Sequence, residues 1–442
     1  MIKTVAAFFD KLMIKYTPDT FILALFLTTL TILGALFLTD TSFSDLMVYW
    51  GDGFWTLMPH TMLMAMLFLG GYILATTPVV ARTLKRVAKK IKSPHQAVFI
   101  VSAVSCAGCL INWGFGLVAA SFLCREIIKV MPKANFRLMV ASAYGGFLLF
   151  HGGLSGSIPL IIATKGNFSE AMIGRLIPLS ETLLSPLNFF LSGTLLFLMP
   201  VVNWYISRSE GLQDKVYKVV NDDIKLDESA EDEYQKGPAE KLELSRSVGF
   251  IAGSFGLGYI FLKIFRGEFS IELKTVCFIL IFLALLLQKN IRIFLMTVNE
   301  GAKRVGPILI QFPFYAGITG ILKGSHLATV ISQFFASIST AETFPIISVY
   351  VAGLLTLFVP SAGGLWALEA PIVIDAAKTL GADLTKVCLA VSWGDAWTHM
   401  IQPFWALPVL AIAGLKLRDI MGYCVITLLL SGIVITTGFL VF

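Results

Sequence analysis

The sequence predicts an all-α integral membrane protein: an inverted repeat with about nine crossing helices, two re-entrant hairpins and two broken helices. Three observations predict it. Of 442 residues, 56% are hydrophobic and only 14% charged, far from a soluble composition. Several apolar runs approach or exceed the roughly 20 residues that cross a bilayer. A series of features in the first half also returns 248 or 249 positions later in the second.

Residues 2–16 place Val5, Phe8, Phe9, Leu12 and Tyr16 along one helical side, which predicts an interfacial helix. The first span, 20–39, is too long for an ordinary signal-peptide core and has no small-residue cleavage site after it. Residues 40–54 hold Asp40, Asp45 and Asp52 and no base, while 82–92 hold Arg82, Lys85, Arg86, Lys89, Lys90 and Lys92 and no acid. The positive-inside rule puts the N-terminus and 82–92 in the cytoplasm, 40–54 outside, and a span at 56–77 between them.

The apolar stretches 97–111 and 117–130 are each short for a crossing, and basic residues flank both outer ends. They predict a hairpin entering from the cytoplasm and turning near the midplane at Asn112–Gly116; two short crossing helices are the alternative. A broken span at 136–164 and a span at 185–206 follow, then a polar loop at 207–246 that reads as a solvated connector. Spans at 247–265, 271–288 and 305–322 lead to a second hairpin at 345–378, entering from outside. A broken span at 384–415 and a last helix at 419–442 put the C-terminus outside. The domains are then 1–44, a first repeat at 45–184, linking spans at 185–290, a second repeat at 291–416, and a final span at 417–442.

The repeat rests on ordered matches. INWGFGLVAA, 111–120, falls on VPSAGGLWAL, 359–368; His151 falls on His399 and Pro159 on Pro408. The basic segment 79–92 falls on the nearly uncharged 327–340, as opposite membrane faces would require. Inverted repeats with discontinuous helices are typical of secondary transporters, whose site lies at the midplane between the halves.

A hairpin tip exposes N–H groups at the start of its second arm, and these favour an anion. The candidates for substrate binding are Asn112, Trp113, Gly114 and Gly116 at one tip, Ser361, Gly363 and Gly364 at the other, and Ser155 and Ser157 at the first break. In SWGDAWTHMIQPFWALP, Asp395, Thr398, His399 and Gln402 share one helical side, and Pro403 then opens the backbone. Polar side chains at membrane depth are functional candidates; helix–helix hydrogen bonding is the plainer reading. Thr398 and Gln402 join the substrate set, while Asp395, Glu369 and His399 are candidates for holding a cation or proton. His151 and His399 read equally well as packing histidines.

With no Lys or Arg at the tips, a small monoanion fits better than a phosphate. Trp113, Phe115, Trp366, Trp393, Trp397, Phe404 and Trp405 are available to wall an acyl tail, or to serve as packing and interface anchors. The pair Cys106 and Cys109 lacks further metal ligands, so the six cysteines read as core thiols. No cofactor is implied, and no metal beyond a transported Na+. The net charge of +6 lies beside membrane helices and does not point to nucleic acid. A rival of another class, an intramembrane serine hydrolase, would use Ser155 or Ser157 with His151 or His399.

The chain resembles the bacterial short-chain fatty acid transporter family of the ion-transporter superfamily. The resemblance runs through WGDGFW at 50–55, INWGFGLV at 111–118, GGLSGSIPL at 152–160, QFPFYAGI at 311–318, VPSAGGLW at 359–366, QPFWALPVLAIAGL at 402–415 and RDIMGYC at 418–424. It implies uptake of acids such as acetoacetate or butyrate across a bacterial inner membrane, by a secondary transporter of homodimeric habit with substrate at two hairpin tips. Sodium-using relatives often carry Ser-Asn-Thr triplets at the tips. This chain lacks them, which leaves H+ and Na+ both open as the coupling ion. Export of other small organic or aromatic acids is the alternative within transport.

Overall fold

The computed structural model describes residues 20–209, 237–402 and 405–442. The expected interfacial helix at 2–16, most of the loop at 207–246, and Pro403 and Phe404 lie outside them. Every regular element among the described residues is helical. Seven helical segments are long and apolar enough to span a bilayer, making this a multi-pass membrane protein.

The first half opens with α1 (Thr20–Leu38), α2 (Phe43–Phe54), α3 (Met58–Ala75) and α4 (Pro78–Lys90). A hairpin of α5 (Pro94–Ile111) and α6 (Trp113–Val130) follows. The first broken helix is α7 (Phe136–Gly145), a 3-10 stretch (Gly146–Gly152) and α8 (Ser157–Ala163). A short α9 (Glu170–Ile173) and the long α10 (Pro186–Ser209) close this half, and α11 (Pro238–Leu244) and α12 (Arg246–Phe265) lead out of it. The second half comprises α13 (Leu273–Leu287), α14 (Ile291–Ala302), α15 (Gly306–Gly324) and α16 (Leu327–Ile338). It continues with the hairpin of α17 (Phe344–Thr356) and α18 (Ala362–Leu380). The second broken helix is α19 (Leu384–Thr398), a 3-10 turn (His399–Ile401) and α20 (Ala406–Ala413), and α21 (Met421–Val441) ends the chain.

The elements α3 to α8 recur in order as α15 to α20, at offsets of 248 to 250 residues (Met58 to Gly306 is 248, Pro94 to Phe344 is 250). The correspondence extends upstream of α3 and α15. Residues 40–54 read as an acidic outer segment and 291–302 as no element, yet α2 and α14 are both twelve-residue helices whose starts lie 248 apart. Each is too short to span, so the search for apolar runs passes over it. Local capping starts them: Ser42 accepts the Asp45 N–H at 3.2 Å, and Asn290 accepts the Ile293 N–H at 2.9 Å.

The leading helices are exchanged between halves. α1 and α2 pack on α15, while α13 and α14 pack on α3. The α2–α15 contact is close because Gly317, Gly320 and Gly324 lie along one side of α15. A Cβ on them would run into the Trp50 indole, the Tyr49 backbone and the Tyr49 ring respectively.

The first hairpin turns on one residue: Asn112 ends α5 and starts α6. Both arms have 18 residues, longer than the sequence reading allowed, and the first arm is itself one of the seven segments long and apolar enough to span a bilayer. The height of the turn is more informative. The Asn112 amide donates to the Leu67 carbonyl at 3.4 Å, halfway along α3. At the second tip Gly364 lies against the Tyr315 ring, halfway along α15. Within α18, Pro371 cannot donate to the Ala367 carbonyl; the Thr319 hydroxyl of α15 does so at 2.9 Å.

Candidate functional site

Both broken helices lose regular hydrogen bonding where they meet. Gly146, Gly152, Gly153 and Gly156 weaken helical preference in the first, and Pro403 follows the end of the second. In a bilayer the freed backbone groups need protein partners. The Tyr144 hydroxyl of α7 serves the second break, shared between the His399 carbonyl at 2.6 Å and the Gln402 carbonyl at 3.0 Å. Around the first break, the Ser155 hydroxyl donates to the carbonyls of Cys109 (2.7 Å) and Phe150 (3.2 Å), and the Leu154 N–H to that of Leu110 (2.7 Å).

One carboxylate ties the breaks together. Asp395 on α19 is 0% exposed; its Oδ2 lies 3.0 Å from His151 Nε2, in the first break. Its Oδ1 accepts the Thr356 hydroxyl of α17 at 3.0 Å, a proton shared with the Ala352 carbonyl. His399, the repeat equivalent of His151, directs Nδ1 at the Asp395 backbone carbonyl at 2.6 Å, and its Nε2 is buried without a partner among the described residues.

The two hairpin tips are joined through a single indole. Trp405 lies edge-on to Trp113, with ring centroids 4.7 Å apart, and its N–H donates to the Pro360 carbonyl at 2.7 Å. The tips differ chemically. At the first, Asn112 Oδ1 accepts the Phe115 N–H at 2.8 Å, so the side chain caps its own helix. At the second, Ser361 occupies the equivalent position, is 7% exposed, and does not cap α18. Gly363 there lies against His60, so close that a Cβ would collide with the imidazole Nε2. That nitrogen is buried and unpartnered among the described residues. The rings of Phe168 and Phe312 flank His60 at 5.7 and 5.8 Å. The start of α18 and the His60 ring thus meet at Gly363, with apolar rings beside them and the uncapped N–H groups of α18 adjoining.

Of the residues singled out in the sequence, Trp113, Ser155, Asp395, His399 and Gln402 gather around the breaks and the first tip. Gly114 and Gly116 lie against backbone of α3 and α5. Ser157 is buried, and its hydroxyl has no partner among the described residues. The expected stripe of Asp395, Thr398, His399 and Gln402 is not one continuous face, because α19 stops at Thr398. Thr398 instead turns its methyl toward Gly353 of α17. Glu369, one turn beyond Trp366 on α18, is 1% exposed, and neither carboxylate oxygen has a hydrogen-bond partner among the described residues. His60, Tyr144 and Thr356 are missing from the sequence reading. His60 carried a signal, a lone imidazole in the apolar run LMPHTMLMAM; Tyr144 and Thr356 carried none.

Three of the tryptophans have their indole N–H groups engaged: Trp366 donates to Ser169, Trp393 to Asn188 and Trp397 to the Leu428 carbonyl. The six cysteines are buried free thiols. No cluster among the described residues is placed to hold a metal. The hydroxyl of Ser155 is directed at carbonyls and that of Ser157 at no partner among the described residues, so neither serine forms there the Ser–His contact a hydrolase needs.

Comparison with known proteins agrees with this architecture. The family model described as short chain fatty acid transporter matches residues 1–442. A protein of Escherichia coli (strain K12) named as a short-chain fatty acid transporter is 39% identical over 448 residues, covering 100% of both chains. One of the same name from Haemophilus influenzae is 34% identical over 445 residues, covering 99% of each. Among solved structures, the YdaH transporter of Alcanivorax borkumensis superposes with a TM-score of 0.58 at 14% identity, over 96% of this chain and 97% of that one. MtrF of Neisseria gonorrhoeae gives 0.51 at 14% identity, over 96% and 94%. At that identity the likeness concerns the fold alone.

Proposed function

Because the chain belongs to the short-chain fatty acid transporter family, a family of transporters rather than enzymes, we propose that it takes up a short-chain monocarboxylate of the acetoacetate or butyrate kind. Uptake is coupled to H+ or Na+ and proceeds by alternating access across a bacterial inner membrane, in a homodimer. The repeats at 45–184 and 291–416 stand in opposite orientation, with the N-terminus inside and the C-terminus outside. The acidic 40–54 and basic 82–92 segments support that orientation. The hairpins then enter from opposite faces and end at mid-bilayer, which the contacts of Asn112 and Gly364 halfway along α3 and α15 support.

The observation that carries this reading is the junction itself: two tips linked through Trp405 and two breaks linked through Asp395 and His151. An element that holds both halves at one point is where a bound anion can bias their relative position. We place the carboxylate at the second tip, against the N–H groups of α18, Ser361, Gly363, Gly364 and His60, with its acyl tail between Phe168 and Phe312. The first tip, Asn112 to Gly116 with Trp113, Ser155 and Ser157, and the segment of Thr398 and Gln402 close the site from the opposite side. Asp395, His399 and Glu369 carry the coupling cation or proton.

The test is uptake of labelled butyrate by the purified protein in vesicles, with pH and Na+ gradients imposed separately. Accumulation under one gradient, suppressed by unlabelled acetoacetate, is expected. Absence of both accumulation and exchange overturns the reading; accumulation of aromatic acids but not butyrate favours the exporter.

A further inference from the structure

A cleft of about 570 Å³ opens beside the outer end of the first hairpin, between α3, α4, α6 and α14. Arg82, Lys85 and Lys89 of α4 line it from one side, at a spacing that puts all three on one helical face. Arg125 and Lys129 of α6 line it from the other. Its two acids are already engaged, Glu126 by Lys129 at 2.8 Å and Glu300 by Lys303. Arg82, Lys85 and Lys89 have no acidic partner among the described residues; Arg82 reaches only the Pro78 carbonyl of its own helix.

The second half contains a related cleft that shares the α18 side of the comparison but is lined by Lys323 of α15 and by Ala328 and Thr329 of α16. It measures about 380 Å³ and lies between α15, α16 and α18. The acid–base pair recurs there, Asp375 and Lys378 standing 249 residues after Glu126 and Lys129. At that same offset, however, Arg82, Lys85, Lys89 and Arg125 are replaced by Ile331, Phe334, Ile338 and Ile374. Of these four only Ile374 lines the second cleft, whose bases are Lys323 and Lys378, against five bases in the first. A charge bias that served only to orient the chain would not need a concave site to hold it.

We infer that the cleft between α4 and α6 binds the phosphate of an anionic phospholipid headgroup. Tyr72, Ala75 and Thr76 place it at the end of α3, where an 18-residue apolar helix meets the headgroup layer. Arg82, Lys85 and Lys89 bracket the phosphate from α4, with Arg125 and Lys129 opposite. The apolar walls, Phe122 and Val130 among them, accept the adjoining acyl carbons.

Native mass spectrometry of the full chain, released from micelles of mixed phosphatidylglycerol and phosphatidylcholine, tests this. The wild type is expected to retain phosphatidylglycerol in preference to phosphatidylcholine. The triple variant Arg82→Gln, Lys85→Gln, Lys89→Gln is expected to lose that preference by at least tenfold. Should it not fold, Lys85→Gln and Lys89→Gln made singly are expected to lower retention in steps. Equal retention by wild type and variants overturns the site. Displacement of the lipid by millimolar inorganic phosphate also overturns it, since the ligand would then be a free anion.

Discussion

At the scale of single residues, the buried carboxylate of Asp395 has both oxygens engaged, by His151 and by Thr356. Replacing it by Asn keeps the shape and removes the charge. In vesicles, Asp395→Asn is expected to abolish accumulation of butyrate driven by a gradient while retaining exchange of internal for external butyrate. Unchanged accumulation would remove Asp395 from coupling. Thr356→Val leaves one oxygen short of a donor, a loss of about 1–3 kcal/mol for a buried polar group. A lowered thermal midpoint in detergent reads that loss. At the second tip, His60→Ala and Ser361→Ala each remove a donor from the proposed carboxylate seat. Each is expected to raise half-saturating butyrate about tenfold, equivalent to about 1.4 kcal/mol. Kinetics unchanged in both would move the carboxylate elsewhere.

At the scale of elements, Asn112 shows why part of the site is legible in sequence and part is not. An amide between two apolar stretches announces a turn, and the turn is there. Its role is set by geometry that sequence does not carry: the side chain is spent on the Phe115 N–H and the Leu67 carbonyl. Asn112→Ala is expected to cost about 1 kcal/mol as a lost helix cap, seen as a lower thermal midpoint of the ligand-free protein. The spans are legible because lipid imposes length and apolarity together. The short helices α2 and α14 obey neither requirement. His60, Tyr144 and Thr356 come from three separate elements, and only the folded chain shows what they face.

At the scale of the whole molecule, the exchange of leading helices makes each half incomplete. α2 finds its glycine-lined groove on α15, while α13 packs on α3 over Gly70 and α14 packs on it through its own Gly301. Segments 1–236 and 237–442, expressed separately, are therefore expected to be unstable alone and to recover butyrate uptake only when co-expressed. Recovery of a stable, folded first segment by itself would contradict the exchanged packing. The arrangement also has a consequence for biosynthesis. When the ribosome has delivered the first 250 or so residues, Tyr49, Trp50 and Gly53 have no companion surface, because residues 306–324 are still to be translated. The emerging polypeptide must be sheltered by lipid or by the insertion machinery through that interval, so a stall in translation there exposes an intermediate that quality-control proteases would recognise.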